Sequence, residues 1–303
     1  AITSAIDYVV NEEMPQVYVL EGHGEAELPE AFSDQIEKEN MELTTFSLLT
    51  EDSVPEEADC VLIYAPASDI SREEKDQLAK YVSGGGKLMV LAGPVENGTL
   101  ENLYSLLEDY GVEAAEGIVV ETDRGHYAFQ APYILLPNLQ SSEITDPLIQ
   151  EHYYSIIPIA QGLTVKGADS AEVTELLTTS ETAFSKTDGY GLTTYEKEEG
   201  DTDGPFAVAV SVACGNDGQM IWFTSSHFLD DMYNAYSSGA NLDLGMNALS
   251  SLIGESEAVA IRSKSLNYNY LTISDSTASL LKTVMIGVFP LLYLGCLLYT
   301  SDA

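Results

Sequence analysis

The sequence predicts an α/β protein built on a mostly parallel sheet covered on both faces. Three observations predict it: short, continuous apolar runs, helix-period segments placed between those runs, and Gly or Pro punctuation that limits the connections. Gln16–Leu20 is a β-rich run that ends in Glu21-Gly-His-Gly-Glu25. Leu28–Asn40 follows as a helix with Leu28, Phe32 and Ile36 on one side. Leu43–Leu49 reads as a strand. After the Val54-Pro55 turn, Cys60–Tyr64 is apolar at every position, as expected of a strand with both faces buried. Asp69-Ile-Ser71 supplies an N-cap, and Arg72–Ser83 is a helix that Gly84-Gly-Gly86 stops. Lys87–Ala92 is the next buried strand, and Leu100–Tyr110 the next amphipathic helix. These spacings imply right-handed βαβ crossovers.

The middle is less regular. Gly117–Glu121, Tyr133–Leu136, Ser155–Ile159 and Val173–Thr179 read as short strands among Pro and Asn turns, and residues 121–204 as an irregular insertion. Thr187–Pro205, rich in Gly, Asp, Glu and Thr, reads as an exposed loop. Phe206–Val212, a Gly215-Asn-Asp-Gly218 turn and Met220–Thr224 form an antiparallel hairpin, and Asn241–Ile253 a final helix of the body.

Twelve Lys plus Arg against 49 Asp plus Glu give a net charge of −37. That field repels nucleic acid and anionic lipid surfaces, so a nucleic-acid partner is excluded. Cys60, Cys214 and Cys296 form no CxxC pair and no metal spacing, and Cys60 and Cys214 read as buried thiols.

Thr283–Tyr299 is an uncharged run of 17 residues. As a helix it would rise roughly 26 Å, close to the hydrocarbon thickness of a bilayer. Lys282 at its edge could reach back to the headgroups. A buried core helix is the alternative, and Pro290 would kink either one. The expected organisation is a body over residues 1–262, a juxtamembrane linker over 263–278 and a transmembrane helix over 279–303. Ile2–Val10 already reads like the middle of a helix, so an upstream portion is expected to be missing. Cys296–Ala303 back-translates to a sequence resembling the transposon-end adapter of sequencing libraries, so the natural chain is expected to depart from this one near Gly295.

Two loops carry candidate chemistry. Gly22-His23-Gly24-Glu25 follows the first strand at the carboxyl edge, where open α/β sheets bind ligands. Its glycines would let backbone N–H groups approach a ligand, and His23 with Glu25 could move protons. The plainer reading is a tight turn with His23 solvated. Ser225-Ser-His227-Phe-Leu-Asp230-Asp231 follows the Met220–Thr224 strand at the same kind of edge. Facing the first loop, it would gather His23, Glu25, His227 and Asp230 around one crevice able to bind a metal or act as an acid–base pair. In the plainer reading Asp230 and Asp231 cap the next helix while Phe228 packs in the core. Gly22, His23, Gly24, Glu25, Ser225, His227 and Asp230 are therefore the ligand-binding candidates, and no cofactor or metal is assigned. No G-x-S-x-G elbow occurs, and Tyr64 runs into Ala65-Pro66, without Ser or Cys at the turn. No Walker motif occurs. His126 and His152 read as solvated.

Ala1–Val9, Val17–Glu25, Ala58–Ile63, Gly84–Val90, Thr224–Asp231 and above all Lys264-Ser-Leu-Asn-Tyr-Asn-Tyr-Leu-Thr-Ile-Ser-Asp275 resemble the Gldg (gliding-motility) family, the auxiliary component of uncharacterised ABC-type transport systems. The resemblance runs nearly end to end and is weakest over residues 121–204. It implies a three-layer, class I glutamine amidotransferase-like (flavodoxin-like) fold, outside the cytoplasm, beside an ABC permease and a separate ATPase subunit. It also implies membrane helices on both sides of the domain. The related enzymes carry a cysteine nucleophile at the elbow, where this chain has Ala65-Pro66. The expected function is a non-catalytic, membrane-anchored accessory subunit of an ABC transporter. The alternatives are a membrane-tethered hydrolase or amidotransferase-like enzyme using His23, Glu25, His227 or Asp230, and a cell-surface interaction protein.

Overall fold

A computed structural model of the chain describes residues 14–166, 173–254, 282 and 284–290. The chain divides into two units, residues 1–260 and 261–303. In the first unit, β1 (Gln16–Leu20), α1 (Glu30–Lys38), β2 (Glu42–Phe46), β3 (Cys60–Tyr64), α2 (Arg72–Ser83), β4 (Lys87–Leu91) and α3 (Glu101–Glu108) come first. Short elements follow: β5 (Val112–Ala114), β6 (Ile118–Val120), β7 (Ile134–Leu135), β8 (Asn138–Leu139), α4 (Asp146–Gln150), β9 (Ile157–Pro158), β10 (Leu163–Val165), β11 (Val173–Thr178), β12 (Phe184–Lys186) and β13 (Thr202–Asp203). The long hairpin of β14 (Ala207–Gly215) and β15 (Gly218–Phe223), then α5 (Asp231–Tyr236) and α6 (Ala240–Ile253), complete it.

A ten-stranded sheet orders its strands β2-β1-β3-β4-β15-β14-β10-β5, with β11 also on β14 and β8 on β11. The pairs β1–β2, β1–β3, β3–β4 and β4–β15 are parallel. From β14 outward every pair is antiparallel. The expectation of a mostly parallel sheet therefore holds for one half only. The reason lies at the Gly215–Gly218 turn, where Asn216 and Asp217 both take positive φ (49° and 65°), the backbone of a tight hairpin that reverses the chain.

Alternation along the buried strands sorts the core into two layers. Cys60, Leu62 and Tyr64 pack with Phe32, Ile36, Leu244 and Leu249, on the side of α1 and α6. Val61 and Ile63 pack with Leu78, Val82, Leu103 and Leu107, on the side of α2 and α3. Helices thus cover both faces of the parallel half, giving three layers. Cys60 and Cys214 are both buried, and burial pushes the Cys60 thiol up to about 12.

Capping decides two helix starts. Ser71 and Glu74 form a reciprocal capping box at α2. Asp69, expected at the same cap, instead accepts the N–H groups of Asn102 (2.8 Å) and Leu103 (3.0 Å) at the start of α3. One carboxylate thereby satisfies two orphan donors and ties the two helices of that layer together.

Residues 121–204 hold β7–β13 together with α4, and through β8, β10 and β11 they extend the main sheet. Lys186 pins the loop that follows β12: its buried ammonium contacts the carboxylates of Glu198 and Asp201 and the carbonyl of Glu196. Gly117 lies against this strand at φ +91°, and a Cβ there would sit 1.8 Å from the Lys186 carbonyl oxygen, so only glycine fits.

In the second unit a π-helical turn spans Val284–Val288, with Met285, Ile286 and Phe289 exposed. Among the described residues no helix is long and apolar enough to cross a membrane. Most of the expected span over 279–303, the linker over 263–278 and the Ile2–Val10 helix lie outside the described residues.

Candidate functional site

The carboxyl ends of β1, β3, β4 and β15 lie along one edge of the sheet, and the predicted site loops leave from the first and last of these. After β1 the chain turns at Gly22 (φ 130°) and Gly24 (φ 73°). A Cβ on Gly22 would also approach the Leu49 side chain to 2.8 Å. This turn buries His23, which is 6% exposed, rather than leaving it solvated as the plainer reading had it. Its Nδ1 lies 3.2 Å from Glu25 Oε1, and its Nε2 3.2 Å from each oxygen of Glu74 at the first turn of α2. Glu25 also accepts the backbone N–H groups of Gly22 (3.0 Å) and His23 (2.7 Å), and Glu74 accepts that of Ser71 (2.8 Å). The His23 carbonyl in turn accepts from Ala67 and Ser68 in the loop after β3.

The electrostatics follow from these contacts. The Glu25 hydrogen bond raises the His23 pKa, against the lowering effect of burial and with the help of Glu74. Burial acts to raise both carboxyls, but the hydrogen bonds outweigh it, and Glu25 and Glu74 titrate below their ordinary value. A carboxylate on each ring nitrogen favours the doubly protonated ring, in which both nitrogens donate. This arrangement is a clamp joining the β1 loop, the β3 loop and α2.

The second loop is a separate cluster. Ser225 is fully buried, donates to the Pro158 carbonyl and accepts the His227 N–H (3.2 Å), while Ser226 accepts the Gly93 N–H (2.9 Å). His227 Nδ1 lies 3.0 Å from Asp230 Oδ2, a bond that raises the His227 pKa against burial. Asp230 starts α5 by position, but its side chain is on His227 and makes no cap hydrogen bond. Phe228 is buried and stacks on Phe223 at 4.5 Å. Two strands, β3 and β4, separate the loops, a spacing of roughly 14 Å at three strand steps. Among the described residues no hydrogen bond or ion pair joins His23 and Glu25 to His227 and Asp230, so the structure brings together two pairs rather than four residues. No group of three or more His, Cys, Asp or Glu among the described residues is placed to hold a metal ion.

Between the two loops, Ala65 directly follows β3 at φ +48°, donating its N–H to the Leu91 carbonyl (2.8 Å). A left-handed residue at a sharp strand-to-loop turn is the backbone of a nucleophile elbow, yet this one carries only a methyl group.

A cleft of about 940 Å³ lies at the carboxyl edge of β4, between Gly93-Pro94, the first turn of α3 and the segment Thr187–Gly191. Tyr190 closes one wall by donating to the Pro94 carbonyl (3.2 Å), and Arg72 and Lys75 of α2 form another. A second cleft of about 540 Å³ contains His126, Gln140, Thr178 and Ser180. Ser180 holds the buried Glu121 carboxylate through its N–H and Oγ, both at 2.7 Å. Neither cleft is lined by any of the seven predicted site residues. Glu74 was the partner that sequence reasoning missed, although the Ser71-x-x-Glu74 spacing signals it as a capping residue. Nothing local marks Thr187–Gly191 as a cleft wall, since β6 and β12 bring it there through long-range pairing.

Comparison with solved structures finds the mmIFT52 N-terminal domain at TM-score 0.58 and 15% identity, covering 78% of this chain and 97% of that one. A glutamine amido transferase from Methylobacillus flagellatus matches at TM-score 0.41 and 9% identity, covering 85% and 99%. At 15% identity the likeness to the mmIFT52 domain concerns the fold alone, a mixed α/β sheet. No curated protein sequence matches the chain. The family described as "ABC-type uncharacterized transport system" matches residues 14–214, from β1 and the β1 clamp loop through most of β14, and the chain belongs to that family.

Proposed function

We propose that the chain is a non-catalytic auxiliary subunit of an ABC transporter, anchored in the membrane by its C-terminal segment and presenting its α/β body outside the cytoplasm, as in the Gldg branch of the family. The family match supports association with transporter components. The observation that carries the non-catalytic part is Ala65, a methyl group on an elbow-like backbone with no hydroxyl or thiol to attack a substrate. In the larger cleft, the body would hold a polar ligand or partner group, while a separate subunit would hydrolyse ATP.

β1 begins at the amino edge of the parallel strands, and α6 returns from the carboxyl edge to end beside it. Ser250 in the last turns of α6 contacts Glu39 (3.5 Å), and Glu42 donates to the Pro15 carbonyl (2.9 Å). Entry to and exit from the described body are thus neighbours, and the cleft and the loops at Gly22 and Ser225 lie at the opposite edge. The test is co-expression with the neighbouring permease and ATPase, then purification through a tag on this chain in mild detergent. Stoichiometric recovery of both partners is the expected result. Repeated recovery of the chain alone would remove the reading.

A further inference from the structure

The carboxyl edge also carries an aromatic surface unused by the clamp or the clefts. Phe129, Tyr154, Met232 and Tyr236 are 52%, 50%, 53% and 52% exposed. They form one patch: the Phe129 and Tyr236 rings pack at 4.6 Å, the Tyr154 hydroxyl donates to the Tyr236 carbonyl (3.1 Å), and Met232 precedes Tyr236 by one turn of α5. Beneath it, Ile134, Ile156 and Tyr233 make a small buried cluster. Phe129 and Gln130 adopt positive φ in succession (55° and 58°), in a loop tied by hydrogen bonds from Ala128 to Ile134, Ala131 to Ala128 and Ile134 to Ala131. An ordered, unfavourable backbone therefore turns a large apolar ring toward solvent. Large exposed apolar patches of Tyr, Phe and Met composition mark interaction sites.

Charge selects the occupant. The patch is built from two stretches, one between Arg124 and Lys166 and the other between Lys197 and Arg262, and neither contains a Lys or Arg. Both supply acids near the patch: Glu151 three residues before Tyr154, and Asp231 at the start of α5, next to the His227-bonded Asp230. An aromatic surface flanked by carboxylates and built from stretches without Lys or Arg suits guanidinium groups, which stack on aromatic faces while pairing with acids. Nucleic acid and anionic lipid are repelled by the same field, and a second copy would set carboxylates against carboxylates on a chain of net charge −37. We propose that the Phe129–Tyr154–Met232–Tyr236 surface docks an arginine-bearing segment of a partner protein. The inference stands whether or not the partner is a transporter subunit.

The test uses the full chain in mild detergent and a fluorescein-labelled octa-arginine peptide, followed by fluorescence anisotropy. The double variant Phe129→Ala/Tyr236→Ala changes no charge, so it separates the patch from the general attraction of an acidic protein. Both side chains are half exposed, and an unchanged circular dichroism melt checks that the variant folds. The expected result is at least tenfold weaker binding in the double variant, several-fold weaker binding in Asp231→Asn, and wild-type binding in the distant, exposed Leu49→Ala control. Octa-arginine should bind several-fold more tightly than octa-lysine. Equal affinity of wild type and double variant would overturn the proposal, leaving only the field of the net charge. So would concentration-dependent dimerisation lost in the double variant, which would assign the patch to a second copy.

Discussion

Removing the imidazole of His23 tests the clamp most sharply. In His23→Ala the side chains of Glu25 and Glu74, 7% and 4% exposed, lose the cation between them. Removing one partner of a buried ion pair costs about 3–5 kcal/mol, and the backbone N–H groups that still satisfy both carboxylates place this case near about 3 kcal/mol. For a body of this size that is a fall in Tm of roughly 6–12 °C. The pH dependence is the more specific signature. The folded pKa of His23 lies above its ordinary 6.5, so its contribution is full below pH 6.5 and lost as pH rises through the folded value. Glu25 and Glu74 are lowered from 4.5, so theirs is full above pH 4.5 and lost as pH falls through their folded values. The clamp is therefore strongest between pH 4.5 and 6.5. Trp222, the one tryptophan, is fully buried, and its fluorescence follows unfolding in urea. The stability difference between wild type and His23→Ala should be largest near pH 5.5 and shrink toward pH 9. A difference that is flat with pH, or that grows on alkalinisation, would refute the imidazolium assignment.

Asp69→Ala should destabilise the body by about 1–2 kcal/mol, because α3 loses the carboxylate that caps two of its N–H groups; urea titration with far-UV circular dichroism measures it. Gly117→Ala forces a Cβ into the Lys186 carbonyl and should cost on the order of 3 kcal/mol or more, with faster proteolysis inside residues 187–204 as its local readout. Ala65→Gly relieves a left-handed alanine directly after β3 and should be neutral or stabilising by up to about 1 kcal/mol in a thermal melt; a clear loss of stability would show that the methyl group packs usefully.

The parallel half of the fold was legible because its strands announce themselves locally. Cys60–Tyr64 and Arg72–Ser83 match the expected bounds residue for residue, the first from an unbroken apolar run, the second from Ser71 at one end and Gly84 at the other. The Gly215-Asn-Asp-Gly218 turn likewise spelled the hairpin. Elements whose existence depends on a distant partner were not legible. β8, β10, β12 and β13 are two or three residues long and are held by pairing across the chain, which no local period records. The site was read in the same uneven way. The glycines at 22 and 24 marked the turn, but the fate of His23 was fixed by Glu74, 51 residues away, which the sequence shows only as a cap. Asp230 was legible as a helix start, whereas its pairing with His227 follows from the three-residue spacing once the turn is formed.

Fractionation of the native host reads directly whether the proposed body is anchored and faces away from the cytoplasm. The account predicts that the chain sediments with membranes on ultracentrifugation, resists extraction by carbonate, and is digested by protease added outside intact or outer-membrane-permeabilised cells. Recovery in the supernatant, with protection from external protease, would contradict it.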